Sequence, residues 1–295
     1  MQTRHVTNKV WDVIVIGGGP AGMMAAGRAA QLGSSVLLLE KNSTLGVKLL
    51  ITGGGRCNVT NNEPDLRTLV SRYKGSDQFL FSAFSQHSNK EALEFFHAHQ
   101  MPTKVENEQR VFPASNTASS VWEVLVTYMR QGAVEILCGA PVIEIILDKE
   151  KQFEAIRLAD GSQIKGRHCI VAVGGSSRPE TGSTGDGFKW LKSLGHKIIP
   201  VSRALVPIAL KDAWVKKLQG VALSDIKLTT WLDGQKEGSR KGKILFTHFG
   251  ITGPTVLNMS RSIGELLPYG DVVITLDLIP KLDHGQLKEK LHGLL

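Results

Sequence analysis

Three cysteines in 295 residues, at 57, 138 and 169, leave this chain with no Cys-x-x-Cys pair and no paired cysteine framework. That pattern excludes a disulfide-stapled scaffold and a thiolate zinc site, and it fits a reducing cytoplasm. No apolar run approaches the roughly 18 residues that span a bilayer, so no membrane helix is expected. Residues 1–9 are polar and carry no apolar h-region, so no signal peptide is expected. Internal repeats and low-complexity tracts are missing too. The histidines lack metal-ligand spacing: His97 and His99 are two apart and face different sides of a helix, so no metal is expected.

What is present is ordinary for a globular protein, with 42% apolar and 21% charged residues and a length that suggests about two domains. Lys and Arg number 35 against 27 Asp and Glu, a net charge of +8. The densest basic cluster, at 236–243, reads as an exposed hairpin loop. A solvated basic surface that attracts phosphate-bearing cofactors accounts for the charge, and nucleic acid is not expected as a partner. The sequence says nothing of oligomeric state.

The most informative stretch is 12–22, Asp-Val-Ile-Val-Ile-Gly-Gly-Gly-Pro-Ala-Gly. An apolar strand runs into Gly17-x-Gly19-x-x-Gly22, with Pro20 and Ala21 between, and small apolar residues follow to Leu32. A second apolar strand, 36–39, ends in Glu40 and Lys41. This is a dinucleotide-binding fingerprint in its βαβ setting. Gly17 permits the tight turn, Gly19 lets backbone approach a diphosphate, and Gly22 lets helix and strand pack closely. The diphosphate belongs at the helix N-terminus, where free N–H groups and the dipole favour negative charge. Glu40, 18 residues after Gly22, is placed to take ribose hydroxyls.

Helical patterns follow at about 77–86, 88–99 and 117–131; the second opens with a capping box, Ser88 to Glu91. Strands are expected at 142–147, 153–159 and 162–165, with Asp160-Gly161 as a hairpin turn, and a separate strand at 168–173. Beyond 195 the strands 206–210, 221–231, 243–246 and 272–278 are expected, with another Asp-Gly turn at 233–234 and a short helix opened by Pro254. A helical pattern from Asp283 runs to the last residue. A doubly wound domain normally takes its chain back to finish its sheet, and nothing after 195 looks like that return, so a C-terminally truncated chain is expected.

Three features favour FAD over NAD. The loop at 46–61 combines Lys48, Thr52, the run Gly53-Gly54-Gly55, then Arg56, Cys57, Asn58 and Thr60. Three glycines leave N–H groups unhindered for a planar ring or phosphate, while Lys48 and Arg56 supply charge. The β-meander at 142–165 is the second feature: it resembles the meander that follows the dinucleotide unit in flavoproteins of the glutathione-reductase type, which implies that its first strand, with Val142, lies near the adenine end. The third is Gly182-Ser-Thr-Gly-Asp186-Gly187 ahead of a helix, where Asp186 orients ribityl hydroxyls or simply caps the helix.

These stretches resemble the BaiN/YhiN-like (aminoacetone-oxidase-like) group of NAD(P)/FAD-dependent oxidoreductases, of the glutathione-reductase-type flavoprotein superfamily. The resemblance rests on the fingerprint, Thr52-Gly-Gly-Gly-Arg-Cys-Asn-Val-Thr-Asn61, Arg110-Val-Phe-Pro113, Gly174-Gly175-Ser176, the 182–187 motif, and Phe246-Thr-His-Phe-Gly-Ile-Thr-Gly-Pro254. It implies an α/β fold: a Rossmann-like FAD-binding domain with an inserted β-barrel-like domain and a small helical domain nested in that. The boundaries are then 1–195 for the FAD-binding domain, lacking its final strand and helix, 196–280 for the β-rich insertion, and 281–295 for the start of the helical domain. Such proteins end in a Gly-Glu-containing motif and a Gly-rich helix that this chain lacks, which puts tight FAD retention in doubt.

Disulfide reductases of that superfamily pair two cysteines five residues apart, but the residue five after Cys57 is Asn62. Cys57 is therefore read as a small neutral residue near the cofactor, with a mixed-disulfide role as the lesser alternative. With a single fingerprint, NAD(P)H as reductant docks transiently over the flavin. Arg110 and His248 are weak catalytic candidates: His248 as a proton donor or a structural histidine, Arg110 as a carboxylate anchor or a partner of Glu106 or Glu108. The expectation is a cytoplasmic flavoenzyme acting on a small organic substrate or oxygen. The alternatives are a flavin-dependent partner in RNA modification and a fragment that cannot hold FAD.

Overall fold

The strand sequence Trp-Asp-Val-Ile-Val-Ile buries five of its six side chains, as expected for a strand covered on both faces. In this computed structural model, which describes residues 9–73, 75–201 and 203–292, that strand is β1 (Trp11–Ile16). It leads into α1 (Pro20–Gln31), β2 (Val36–Glu40) and α2 (Val47–Leu50). A short β3 (Thr60–Asn61) precedes three helices, α3 (Leu66–Ser71), α4 (Asp77–Gln86) and α5 (Asn89–Ala98). Then come β4 (Thr103–Glu106), β5 (Arg110–Pro113), α6 (Ala118–Gln131) and β6 (Glu135–Cys138). The meander β7 (Val142–Leu147), β8 (Phe153–Leu158) and β9 (Gln163–Val171) follows, and α7 (Asp186–Ser193) comes last in this unit, which spans Met1–Ile198.

The six-stranded sheet has the order β6-β2-β1-β9-β8-β7. β1 pairs in parallel with β2 and with β9, and β2 with β6. The period-2 alternation of β1 splits the core between two faces. Val13 and Val15 pack with Met23 and Ala26 of α1 and Leu125 and Met129 of α6. Trp11, Ile14 and Ile16 pack on the other face with Ile156, Leu158 and Ile164 from the meander. The Rossmann-type α/β arrangement is therefore present, with the C-terminal ends of β1 and β2 opening on one edge.

One boundary differs from the sequence reading. The expected strands 162–165 and 168–173 are one strand, β9. Its first half pairs antiparallel with β8 and its second half parallel with β1. Gly166 makes this possible, because a Cβ there would stand 2.8 Å from Ile14 Cδ1. The polar break in the sequence thus marks a close packing contact and not a turn. The capping box forms as read: the Ser88 N–H and hydroxyl donate to Glu91 at 2.7 and 2.6 Å, and the Lys90 N–H donates to Ser88 Oγ.

The second unit, Ile199–Leu295, holds β10 (Ile208–Ala209), β11 (Ala222–Leu232), β12 (Gln235–Phe246), β13 (Gly250–Thr252), α8 (Pro254–Leu266), β14 (Val272–Asp277) and α9 (His284–His292). Its five strands are antiparallel in the order β10-β13-β12-β11-β14. Ile226, Leu228, Ile244 and Phe246 meet Val256 and Ile263 of α8 in a core of its own. The basic cluster 236–243 is not a loop, as its polar composition suggested. It lies within β12, and the loop is the two-residue Asp233-Gly234 turn, with φ of +47° and +83°. Exposure along most of β12 removes the apolar alternation by which a strand is recognised.

Candidate dinucleotide-binding site

At the end of β1 the chain must turn sharply, and Gly17 does so at φ +105°, its N–H donating to Leu39 O at 2.8 Å. A Cβ there would sit 2.6 Å from Ala172 O, so the turn also lies tight against the end of β9. Gly22 is closed in equally, since its Cβ would meet Gly17 O at 1.8 Å. Gly19 differs: nothing lies within 4 Å of its would-be Cβ, and it is the N-cap of α1 with Pro20 next. The fingerprint thus separates into two packing glycines and one that faces open space.

Beside that open glycine is a cavity of about 370 Å³. Of the residues read from the sequence, Gly17, Gly19, Pro20, Ala21, Glu40, Lys41, Lys48, Thr52, Val142, Gly174 and Asp186 line it. Its apolar lining includes Ala140, Val142, Ala172, Val173 and Trp190. Glu40 is 7% exposed, and both carboxylate oxygens accept backbone hydrogen bonds: Oε2 from Gly18 at 2.6 Å and Oε1 from Asn42 at 2.8 Å. Each oxygen keeps acceptor capacity for a ligand hydroxyl.

The two lysines of the cavity differ in their partners. Lys41 Nζ donates to Thr184 Oγ1 at 2.7 Å and ion-pairs with Asp186 at 3.1 Å. The Thr184 hydroxyl and then Lys41 hold the Asp186 carboxyl below the usual aspartate range. Lys48 Nζ donates only to hydroxyls, Ser177 at 2.9 Å and Ser183 at 3.5 Å. No carboxylate pairs with it among the described residues. Asp186 does not cap α7; Gly185 is the N-cap and carries no side-chain cap. The segment 174–186 therefore reaches β2 and α2 through side chains, Asn42 Nδ2 adding a bond to Thr181 O at 3.1 Å.

Several expected residues lie outside the cavity. Gly53, Gly54 and Gly55 form a left-handed turn, with φ of +56°, +69° and +84°, on the surface next to Thr52. Arg56 is turned away: its guanidinium lies 4.2 Å over the Phe112 ring, pairs with Glu106 and donates to Asn116 Oδ1 at 2.7 Å. With its amide assigned so that the NH2 faces the two carbonyls, Asn58 donates to Val111 O and Thr60 O and fastens the loop to β5, while Thr60 pairs with Val111 in the β3–β5 ladder. Cys57 is buried at φ +57°, and burial pushes its thiol up. Gly175 accepts from the Gly185 N–H at 3.2 Å without lining the cavity. Arg110 donates to Asn107 O at 3.0 Å and lies 3.9 Å from Glu108, matching the local reading of its role. His248 follows β12 in the second unit, its ring against Phe249. The sequence reading missed Asn42, Thr181, Ser183, Thr184 and Trp190. Ser183 and Thr184 stood inside the 182–187 motif, but Asn42 and Trp190 carry no sequence signal.

The parallel strands β6-β2-β1-β9, a glycine turn at a helix N-cap and a carboxylate at the end of the second strand define a Rossmann-type dinucleotide-binding domain. The chain belongs to the family described as HI0933-like protein Rossmann domain, which matches residues 11–265. It is 34% identical to a 3-dehydro-bile acid delta(4,6)-reductase of Clostridium scindens, over 93% of this chain and 66% of that protein. It is 26% identical to a ribosomal RNA dihydrouridine synthase of Escherichia coli, over 92% of this chain and 65% of that one. The chain thus spans just under two thirds of the length of these relatives. The open conformation of a flavocytochrome c3 fumarate reductase shares the fold, with a TM-score of 0.57 at 16% identity, over 76% of this chain and 48% of that chain. Among the described residues no helix is long and apolar enough to cross a membrane.

Proposed function

We propose that this chain is an FAD-dependent oxidoreductase that acts on a small organic substrate or oxygen, with NAD(P)H as its transient reductant. The observation that carries the reading is the open face of Gly19 at the α1 N-cap, in one cavity with the buried carboxylate of Glu40. An extended ligand with a diphosphate and a ribose fits that pair. The Gly19 and Ala21 N–H groups would hold the diphosphate at the helix N-terminus, with Pro20 fixing the first turn; Glu40 would hold the ribose hydroxyls, and Val142 and Trp190 an apolar ring. When bound, FAD supplies the hydride and electron transfer, chemistry that belongs to the cofactor.

The chain's own contribution is to orient and to exclude water. The segment 174–186, tied to β2 and α2 by Asn42, Lys41 and Lys48, forms one wall of the cavity. Similarity to a protein named as a bile acid reductase supports an oxidoreductase and favours an unsaturated or keto substrate. The absorption spectrum of the purified protein tests the reading. Flavin bands near the usual positions are expected, bleached anaerobically by NADH or NADPH. A colourless protein that takes up no added FAD removes it.

A flavin-dependent role in RNA modification is the second reading, favoured by the dihydrouridine synthase relative and the net charge of +8. It requires RNA binding that weakens steeply with salt. Absence of binding at low salt eliminates it.

A further inference from the structure

Lys41 and Lys48 are the two cations that line the cavity, and their surroundings assign them different work. Lys41 is neutralised by Asp186 at 3.1 Å, and its second bond, to Thr184, ties the end of β2 to the start of α7. Lys48 has hydroxyl partners only. The Glu180 carboxyl feels the Lys48 charge but pairs with Arg178 and lies beyond ion-pair distance of Lys48, and a hydroxyl orients an ammonium without cancelling its charge, so Lys48 is the less neutralised of the two cations.

Its place follows from the backbone. Lys48 stands on α2, whose leading Gly46 N–H donates to Gly18 O at 2.9 Å, beside the glycine turn. Its ammonium reaches Ser183 Oγ, which lies 3.3 Å from a would-be Cβ on Gly174. Ser183 is itself only 7% exposed, and its neighbours are fixed by the Asn42–Thr181 and Lys41–Thr184 bonds. The hydroxyl therefore has little freedom to move. A diphosphate at the α1 N-terminus meets only partial charges from backbone N–H groups, and Glu40 nearby opposes an anion. A full positive charge held in place resolves that conflict.

We propose that Ser177 and Ser183 are positioning residues that hold the Lys48 ammonium as the seat for the diphosphate of the bound dinucleotide. This rests on the dinucleotide reading above and adds residues and a division of labour to it. It predicts a split between a ligand with a diphosphate and the same ligand without one.

The test measures ADP and adenosine binding to the flavin-stripped protein by calorimetry, and FAD binding by fluorescence. Lys48→Met should weaken ADP and FAD about tenfold or more and leave adenosine unchanged. Ser177→Ala with Ser183→Ala should weaken ADP several-fold, while Ser177→Thr with Ser183→Thr should restore it, an outcome that a merely structural role for the serines does not give. Retained adenosine binding shows that a variant is folded. A wild-type protein that binds FAD but whose ADP affinity ignores Lys48→Met overturns the proposal alone. So does a variant in which ADP and adenosine fall together, which would mark Lys48 as structural. A wild-type protein that binds neither ADP nor FAD overturns the dinucleotide reading beneath it as well.

Discussion

The Gly18 N–H donates to Glu40 Oε2 at 2.6 Å, so the strand end placed to take a ribose is fastened to the turn placed to take a diphosphate. One buried hydrogen bond thus joins the two halves of the site. Replacing Glu40 by Ala leaves the Gly18 and Asn42 N–H groups without acceptors in a buried place. An unsatisfied buried donor costs roughly 1–3 kcal/mol, so urea denaturation should show at least that loss. Glu40→Gln keeps one acceptor and should lose less stability, but its amide N–H₂ would face a backbone donor. FAD binding should weaken in both variants.

Gly19 and Gly22 sit three residues apart in one motif, yet they should respond oppositely to alanine. Gly22→Ala drives a Cβ to 1.8 Å from Gly17 O, which forces β1 and α1 apart. The variant should be insoluble or severely destabilised. Gly19 has φ −77°, which alanine accepts, and nothing lies within 4 Å of the new methyl. Gly19→Ala should therefore keep its Tm within a few degrees and lose affinity for ADP and FAD. Equal loss of stability in the two variants would show that Gly19 is a packing residue.

Local signals in the chain explain which parts of this could be read early. The glycine turn, Glu40, the Ser88–Glu91 capping box and the Asp233-Gly234 turn each depend on residues within about 20 positions, and each is in place. What escaped depends on distance along the chain. Lys41 meets Asp186 and Lys48 meets Ser177, more than a hundred residues away, so no spacing rule announces them. Arg56 read as a cofactor cation for the same reason: its partner Glu106 lies 50 residues on. In β12 the signal itself is missing, because an exposed strand has no apolar face to alternate.

Glu91 gives the acid limb of stability a definite source. The Ser88 hydroxyl and then the Ser88 N–H hold its carboxyl down to about 2, from an ordinary value near 4.5. A depressed value means that the stabilisation is full above the unfolded value and disappears as pH falls from about 4.5 through 2. Glu91→Gln keeps a capping side chain without the titration. Its stability should fall less steeply than wild type over that window in denaturant titrations. An unchanged slope would place the acid sensitivity elsewhere.

Burial disfavours the thiolate form of all three cysteines. Burial raises Cys57, Cys138 and Cys169 above the ordinary thiol range, Cys169 to about 12. A thiol needs its thiolate form to attack, so Ellman's reagent at pH 8 should label the native protein slowly and the urea-unfolded protein at three sites. Cys57→Ser should leave any reduction of bound flavin by NAD(P)H intact, since no second cysteine stands beside it. Cys57→Val should destabilise, because a β-branched side chain is strained at φ +57°.

Arg56 and Lys48 together separate structural from ligand-facing charge. The Arg56 guanidinium stacks on Phe112, pairs with Glu106 and binds Asn116, joining the end of the glycine loop to β4 and β5. It lies outside the lining of the cavity. Arg56→Met should lower the Tm, by roughly 2–4 °C for loss of a part-exposed ion pair and its stacking, with ADP affinity unchanged. Lys48→Met should show the reverse, a Tm close to wild type and weakened ADP. If Arg56→Met instead weakens ADP at constant Tm, the guanidinium must leave Glu106 on ligand binding. The triple-glycine turn at 53–55 would then be the hinge that lets it swing.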